Sequence, residues 1–149
     1  MSVNNELQKG LIATMRGDAA LSALLPTFAG VPAVFFHVPQ EFDTSQPYVD
    51  IFEQSMIDDS TDNTTGFEVT LTIHTWVEER TTRQTSDIMQ AVYNVLNRND
   101  DIALDNYTIS GIDFASQVIL RDPDGVTKHG VQVFTVNLEP TVVYPPCPI

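Results

Sequence analysis

The stretch FEVTLTIHTWV, residues 67–77, decides the fold, because its apolar and polar side chains alternate with a period of two. Such alternation predicts a β-strand with one buried face, about 35 Å long at about 3.3 Å per residue. A second candidate strand, residues 47–53, precedes it across the polar loop 55–66. Together they predict an antiparallel hairpin whose tip projects from the body of the molecule.

Helical periodicity is found on both sides of this hairpin. A first helix is predicted from apolar residues that share one face: Val3, Leu7, Leu11, Ile12 and Met15. Asp18 is the predicted N-cap of a short second helix over residues 19–25, and residues 33–38 form a short apolar run. Beyond the hairpin, Thr81 and Gln84 form a candidate capping box. The helix that follows would bury Ile88, Met89, Val92, Val95 and Leu96.

Two more strands are predicted near the C-terminus, at residues 107–120 and 128–138. Between them lies Asp122-Pro123-Asp124-Gly125, a strong turn signal because Pro presets φ and Gly accepts a positive φ. This order predicts an α+β fold, a mostly antiparallel sheet with helices packed on one face and a long projecting β-hairpin. Residues 1–139 are expected to form a single domain, and residues 140–149 a Pro-rich C-terminal extension.

The composition excludes several classes of function. The chain has 149 residues, 7 basic against 20 acidic side chains and a net charge of −13. A nucleic-acid binder needs Lys and Arg to displace counterions from phosphates, and anionic lipid repels an acidic protein in the same way. The single cysteine excludes an intrachain disulfide or a thiolate zinc site. With no secretory signal and no apolar segment of membrane length, we expect a soluble protein made in the cytoplasm.

No metal ligand, cofactor site or catalytic residue is predicted. Asp58, Ser60 and Asp62 match a calcium loop, but Asn63 and Val69 stand where the loop needs Gly and Glu. The three histidines, His37, His74 and His129, lack a ligand spacing, and Cys147 lies in the Pro-rich extension without a base. The chain is therefore not expected to be an enzyme. A small hydrolase with unrecognised carboxylates and a calcium-binding module remain as alternatives.

Three groups of residues are candidates for contacts with other proteins. The first is the acidic loop 58–65 with Asp58, Asp59, Asp62 and Asn63, which is either a solvated hairpin tip or ordered on assembly. Trp76 with His74 is either a subunit contact or, for Trp76, a residue buried under a helix. Arg121, Asp122 and Asp124 form either a contact or a simple hairpin turn with a local ion pair.

The order of several motifs resembles the tail terminator, or tail completion, proteins of long-tailed phages. The motifs are DAALSALL at residues 18–25, FHVP at 36–39, QPYV at 46–49, HTW at 74–76 and RDPDGVTKHGV at 121–131 followed by FTV at 134–136. The resemblance spans residues 7–139. The Pro-rich extension goes beyond it, and the acidic loop is longer than the pattern needs.

The resemblance implies a structural protein that caps the finished tail tube as a ring, usually a hexamer. Such a ring stops tube polymerisation and joins the tail to the head-completion or neck proteins. Its partners would be copies of itself, the tail tube protein and the neck protein. DNA would pass through without specific binding, and no membrane is involved. The protein would be assembled in the host cytoplasm and would remain in the tail or neck of the virion.

Charge bears independently on this expectation. Each copy in a ring brings a charge of −13, which repels phosphate and lets DNA slide past. Mutual repulsion between copies also requires interfaces held by apolar area. A head–tail joining protein of related fold is the alternative within the same class.

Overall fold

The computed structural model describes residues 2–63 and 65–141, without the side chains of residues 52 and 53. The elements in chain order are α1 (Val3–Arg16), α2 (Ala19–Ser22), β1 (Thr27–Phe28), β2 (Val31–Pro32), β3 (Val34–Phe35), β4 (Tyr48–Asp58), β5 (Phe67–Glu78), α3 (Arg83–Leu96), β6 (Tyr107–Arg121) and β7 (Thr127–Pro140). Cys147 and the Pro-rich extension from residue 142 onward lie outside the described residues.

A five-stranded sheet in the order β3-β4-β5-β7-β6 forms the body of the fold, and β1 and β2 make a separate pair. All neighbours in the large sheet are antiparallel except β3 and β4, which are parallel. The tip of the β4–β5 hairpin is exposed in every described residue from 55 to 65. The predicted α+β fold, with its mostly antiparallel sheet and long hairpin, is confirmed.

Side-chain alternation places the helices on one face of the sheet. Every even-numbered residue of β7 from Lys128 to Leu138 is buried, whereas the odd-numbered ones are partly exposed. On the buried face a Cβ at Gly130 would lie 2.5 Å from Sδ of Met89 in α3. Gln132 Nε2 also donates to Met89 O at 3.0 Å. The opposite face of the sheet therefore has no helix from the described part of the chain.

Several boundaries differ from the sequence predictions. Strand β4 continues to Asp58 instead of residue 53, and the second helix is four residues long instead of running to residue 25. The apolar run 33–38 contributes only the two residues of β3. The loop after α2 contains β1 and β2, joined by Ala29 and Gly30 with φ of 52° and 83°. Two positive φ values are what a two-residue hairpin turn of the favoured hand requires.

The predicted capping box at the start of α3 is wrong. The N-cap is Thr82, which makes no side-chain cap bond. The carboxylate of Glu79 caps the N-terminus of α3 instead. It accepts from Gln84 N at 3.0 Å and from both N and Oγ1 of Thr85 at 2.7 Å. A cap supplied from five residues upstream needs the corner of chain between β5 and α3 to fold back, which the capping-box pattern does not encode.

We expect Glu79→Gln to lower the free energy of unfolding by about 1 kcal/mol at pH 7, because α3 loses most of its N-terminal cap. Burial raises the pKa of Glu79, but hydrogen bonds from Thr85, Gln84 and Thr81 outweigh it and leave the pKa below its ordinary value. A lowered folded-state pKa contributes stability above the ordinary value, near 4.3, that disappears as the pH falls through the folded-state value. Urea denaturation between pH 3 and 7 measures this loss.

The matched control is Thr82→Ala, which should cost less than about 0.5 kcal/mol because the hydroxyl caps nothing. A larger loss for Thr82→Ala than for Glu79→Gln would contradict this account of the cap.

None of the described helices has the length and apolar character needed to cross a membrane.

Candidate functional site

The helix-free side of the sheet, which we call the open sheet face, carries two rows of side chains across four strands. Strand register sets them, because partners on neighbouring strands point to the same side. The first row is Tyr48, Trp76, His129 and Leu120, and the second is Asp50, His74, Val131 and Val118. The first row has three rings and ends in an aliphatic side chain, and the second has a carboxylate and a ring followed by two aliphatic side chains.

Trp76 is fixed by stacking and by a hydrogen bond. Its ring lies 3.7 Å from that of His129 with an interplanar angle of 10°, and it also stacks against Tyr48 and His74 at 6.4 and 6.2 Å. Trp76 Nε1 donates to Asp50 Oδ1 at 3.2 Å. Trp76 is partly exposed on the open sheet face, so the expectation that it is buried under a helix is wrong.

His74 and His129, which the sequence leaves unrelated, meet on this face. Their rings are stacked with centroids 4.7 Å apart, and His74 Nδ1 makes a hydrogen bond with His129 Nε2. One nitrogen of such a bond must donate and the other accept, so at least one of the two rings is neutral. Within the described residues no group of three His, Cys, Asp or Glu side chains could hold a metal ion.

Asp50 is a buried carboxylate, with only 9% of its surface exposed. Burial raises the pKa of Asp50, whereas the hydrogen bond from Trp76 and the nearby His74 act in the opposite direction without cancelling the effect. The group is thus held in an environment that disfavours its charge. The hydrogen bond from the indole of Trp76 to this carboxylate fixes the relative positions of the two side chains.

The aliphatic half of the open sheet face is exposed. Val118 and Leu120 of β6 retain 49% and 47% of their surface, and Val131 and Val133 beside them are partly exposed. Apolar side chains next to rings and clear of charged groups are typical of surfaces that bind protein. The open sheet face is therefore a candidate binding surface.

The acidic loop lies far from this surface. Phe67, at the base of the hairpin tip, is nine residues along β5 from Trp76, a distance of about 30 Å. Asp58 ends β4 and accepts from N and Oγ of Ser60 at 3.1 and 2.5 Å, and Asp59 N closes the loop on Gly66 O at 2.9 Å. The remaining candidates of this loop, Asp62 and Asn63, are exposed.

The third candidate group forms the turn between β6 and β7. Asp124 accepts from N of Val126 and from N and Oγ1 of Thr127, and the bonds from Thr127 hold its pKa below the ordinary value. Asp122 N bonds to Thr127 O at 3.0 Å. Arg121 is exposed, and the ion pair found within residues 2–63 and 65–141 joins Arg98 to Asp113 instead. The turn is confirmed, and its local ion pair is wrong.

An open groove in the described region lacks the groups that hydrolysis needs. It has a volume of about 440 Å³ and runs along α1, lined by Asn5, Gln8, Lys9, Ile12, Ala13, Arg16 and Phe36. No carboxylate or histidine is among these residues. The groove therefore gives no support to the hydrolase alternative.

The sequence alone did not identify Asp50, Tyr48 and His129 as neighbours of Trp76. These residues could have been found from the alternation of side chains, which continues from residues 67–77 into the two strands that pair with β5. With the register of those strands, the two rows follow directly.

Comparison with known proteins places this α+β fold among structural proteins of phage tails. The family model described as tail completion protein gp17 matches residues 9–139, nearly all of the described chain, so the chain belongs to that family. No curated protein matches the chain significantly.

A solved structure supports the same fold. The chain resembles one from the "Virion of native gene transfer agent (GTA) particle", with a TM-score of 0.82 and 22% sequence identity. The match covers 93% of this chain and 98% of that one. The identification as a tail completion protein rests on the family model, and the structural match adds the shared fold.

Proposed function

We propose that this protein caps the tail tube as a ring, stops tube polymerisation and offers the surface to which the head or neck is joined. Membership of the tail completion family supports a role in completing the tail. The observation that carries the proposal is the open sheet face, where Trp76 is stacked in place beside the exposed Val118 and Leu120. A rigid, partly apolar surface of this kind acts by stoichiometric binding.

A capping protein must bind the growing end of the tube on one side and must not bind further tube subunits on the other. The two faces of this sheet differ in this way, because α1 and α3 cover one face and leave the other free of helices. Binding of the tube to the open sheet face would leave the helical side outward. That side presents helix surfaces instead of another sheet, and so gives the next tube subunit no matching end.

The charge distribution fits a protein that surrounds DNA without holding it. The exposed tip of the β4–β5 hairpin carries Asp58, Asp59 and Asp62, and the net charge of the chain is −13. Acidic tips pointing toward the lumen would repel the phosphates of passing DNA. In this proposal the partners are other copies of the chain, six in one ring, together with the tail tube protein and a neck protein.

Deleting the gene for this protein from the genome that encodes the particle tests the proposal. We expect overlong tails of variable length, because nothing halts the tube, and we expect the wild-type gene supplied in trans to restore uniform tails. Electron microscopy of lysates measures the length distribution. Tails of normal length beside separate filled heads would refute the capping role and support the head–tail joining alternative.

A further inference from the structure

Strand β6 is an edge of the sheet, and part of that edge is uncovered. It pairs with β7 on one side only. At the middle of the strand the loop after α3 covers the other side, with Arg98 N donating to Ile112 O at 2.7 Å and Phe114 N donating to Asn97 Oδ1 at 3.0 Å. From residue 115 to 121 the described chain offers no backbone partner on that side.

The uncovered segment has the wrong chemistry for a solvated edge. Its sequence, ASQVILR, contains no acidic residue although the chain has a net charge of −13. Val118 and Leu120 are about half exposed on the open sheet face, and Ile119 is partly exposed on the other. Edge strands that stay solvated usually carry charges, prolines or bulges that prevent pairing with another chain. The bulge at Ala115 and the charge of Arg121 lie only at the two ends of the segment. The aliphatic residues 118–120 between them lack such protection, which indicates that another strand covers them in the assembled state.

The opposite edge of the same sheet is also incomplete. Strand β3 pairs only with Val49 and Asp50, so the distal half of β4 has no strand on its outer side among the described residues. Met56 and Ile57 in that half keep 42% and 60% of their surface exposed. Each copy thus has two different uncovered edges, and each edge carries aliphatic side chains.

The strand directions of these two edges are compatible. Strand β4 is antiparallel to β5, β5 to β7, and β7 to β6. It follows that β4 and β6 run in opposite directions. Placing β6 of one copy beside β4 of the next would continue the antiparallel alternation across the subunit boundary.

We propose that residues 115–121 of β6 pair with residues 54–58 of β4 in a second copy of this chain. The contact joins two different edges, so it is heterologous and can repeat around a closed ring, whereas β6 pairing with β6 would end at a dimer. The β6 segment has no acidic group and ends in Arg121, and the β4 segment has Asp58 as its single acidic residue. Two strongly acidic copies can therefore approach along these edges with little repulsion. This inference rests on the proposed ring and names the surface that closes it.

Charged substitutions on each edge test the pairing. One variant is Val118→Glu with Leu120→Glu, and the other is Met56→Glu with Ile57→Glu. All four side chains are at least 42% exposed, so the free subunit should fold normally, as circular dichroism would check. We expect either variant to weaken self-association at least tenfold, measured as mass by light scattering without tube protein. With tube protein added, the Met56→Glu, Ile57→Glu variant is the informative one, because Val118 and Leu120 also lie on the face proposed to bind the tube. The control is Gln90→Glu on the exposed side of α3, which adds charge and should leave the mass unchanged.

Mixing the two variants separates this arrangement from its rivals. Each mixed pair retains one intact β6 edge and one intact β4 edge, so the mixture should form dimers but no ring. If only the β4 variant assembles like wild type, then the β6 edge pairs with a surface other than β4 and the proposal is wrong. If both variants assemble like wild type, the pairing is wrong while a ring held by other surfaces stands. A wild-type protein that stays monomeric with tube protein would overturn both the pairing and the ring.

Discussion

Replacing Phe134 by alanine is expected to lower the free energy of unfolding by about 3–5 kcal/mol. Phe134 has no exposed surface and lies on β7 between Leu71 of β5 and Phe114 of β6, with its ring 5.8 Å from that of Phe114. Removing the ring loses its burial and leaves a cavity that three strands cannot close. A domain is stable by only about 5–15 kcal/mol, so the variant should unfold at a much lower urea concentration.

Thr135→Ala is the matched control because the neighbouring residue points to the open sheet face and is partly exposed. It should change stability by less than about 1 kcal/mol. Equal losses for the two variants would contradict the assignment of a single buried face to β7, and with it the helix-free character of the other face.

The alternation of residues 67–77 was enough to predict β5, because a strand buried on one face records its environment in its own sequence. Helices α1 and α3 were predicted for the same reason, from apolar positions that recur on one helical face. The cap of α3 was not predictable in this way. Glu79 reaches it only because the chain turns back after β5, and no fixed spacing in sequence records such a turn.

The candidate surface on the open sheet face was predicted in part. His74 and Trp76 were singled out together, and they do lie side by side on the open sheet face. Asp50 and His129 were missed, because their positions depend on how the strands are aligned. A one-residue slip of β4 would move Asp50 to the helix side of the sheet. The bulge between Ile51 and Glu53 shows that this register is adjusted locally, and the local sequence carries no mark of it.

Trp76→Ala is expected to lower the free energy of unfolding by about 3 kcal/mol at pH 7. The substitution removes the ring stacked on His129 and also the hydrogen-bond donor to Asp50, a residue with 9% of its surface exposed. Two losses contribute: the buried aromatic surface is removed, and the carboxylate of Asp50 stays buried without its hydrogen-bond donor. Urea denaturation gives the total, and Trp76→Phe, which keeps an aromatic ring but not the donor, isolates the hydrogen bond.

Asp50→Asn tests whether the buried charge is responsible for part of that loss, since an asparagine oxygen can still accept from Trp76. Burial raises the pKa of Asp50, so below its ordinary pKa, near 3.9, the carboxyl is protonated in the folded and the unfolded state and costs no more than asparagine, whereas the penalty for its charge develops as the pH rises through the folded-state value. At pH 7 the Asp50→Asn protein should therefore be the more stable of the two, and below about pH 4 the difference should close. In that background Trp76→Ala should cost less than in the wild type, because no charge is left unpaired. Equal costs at pH 7 would mean that Trp76 stabilises the sheet by stacking alone, and Asp50 would then have no part in fixing the surface.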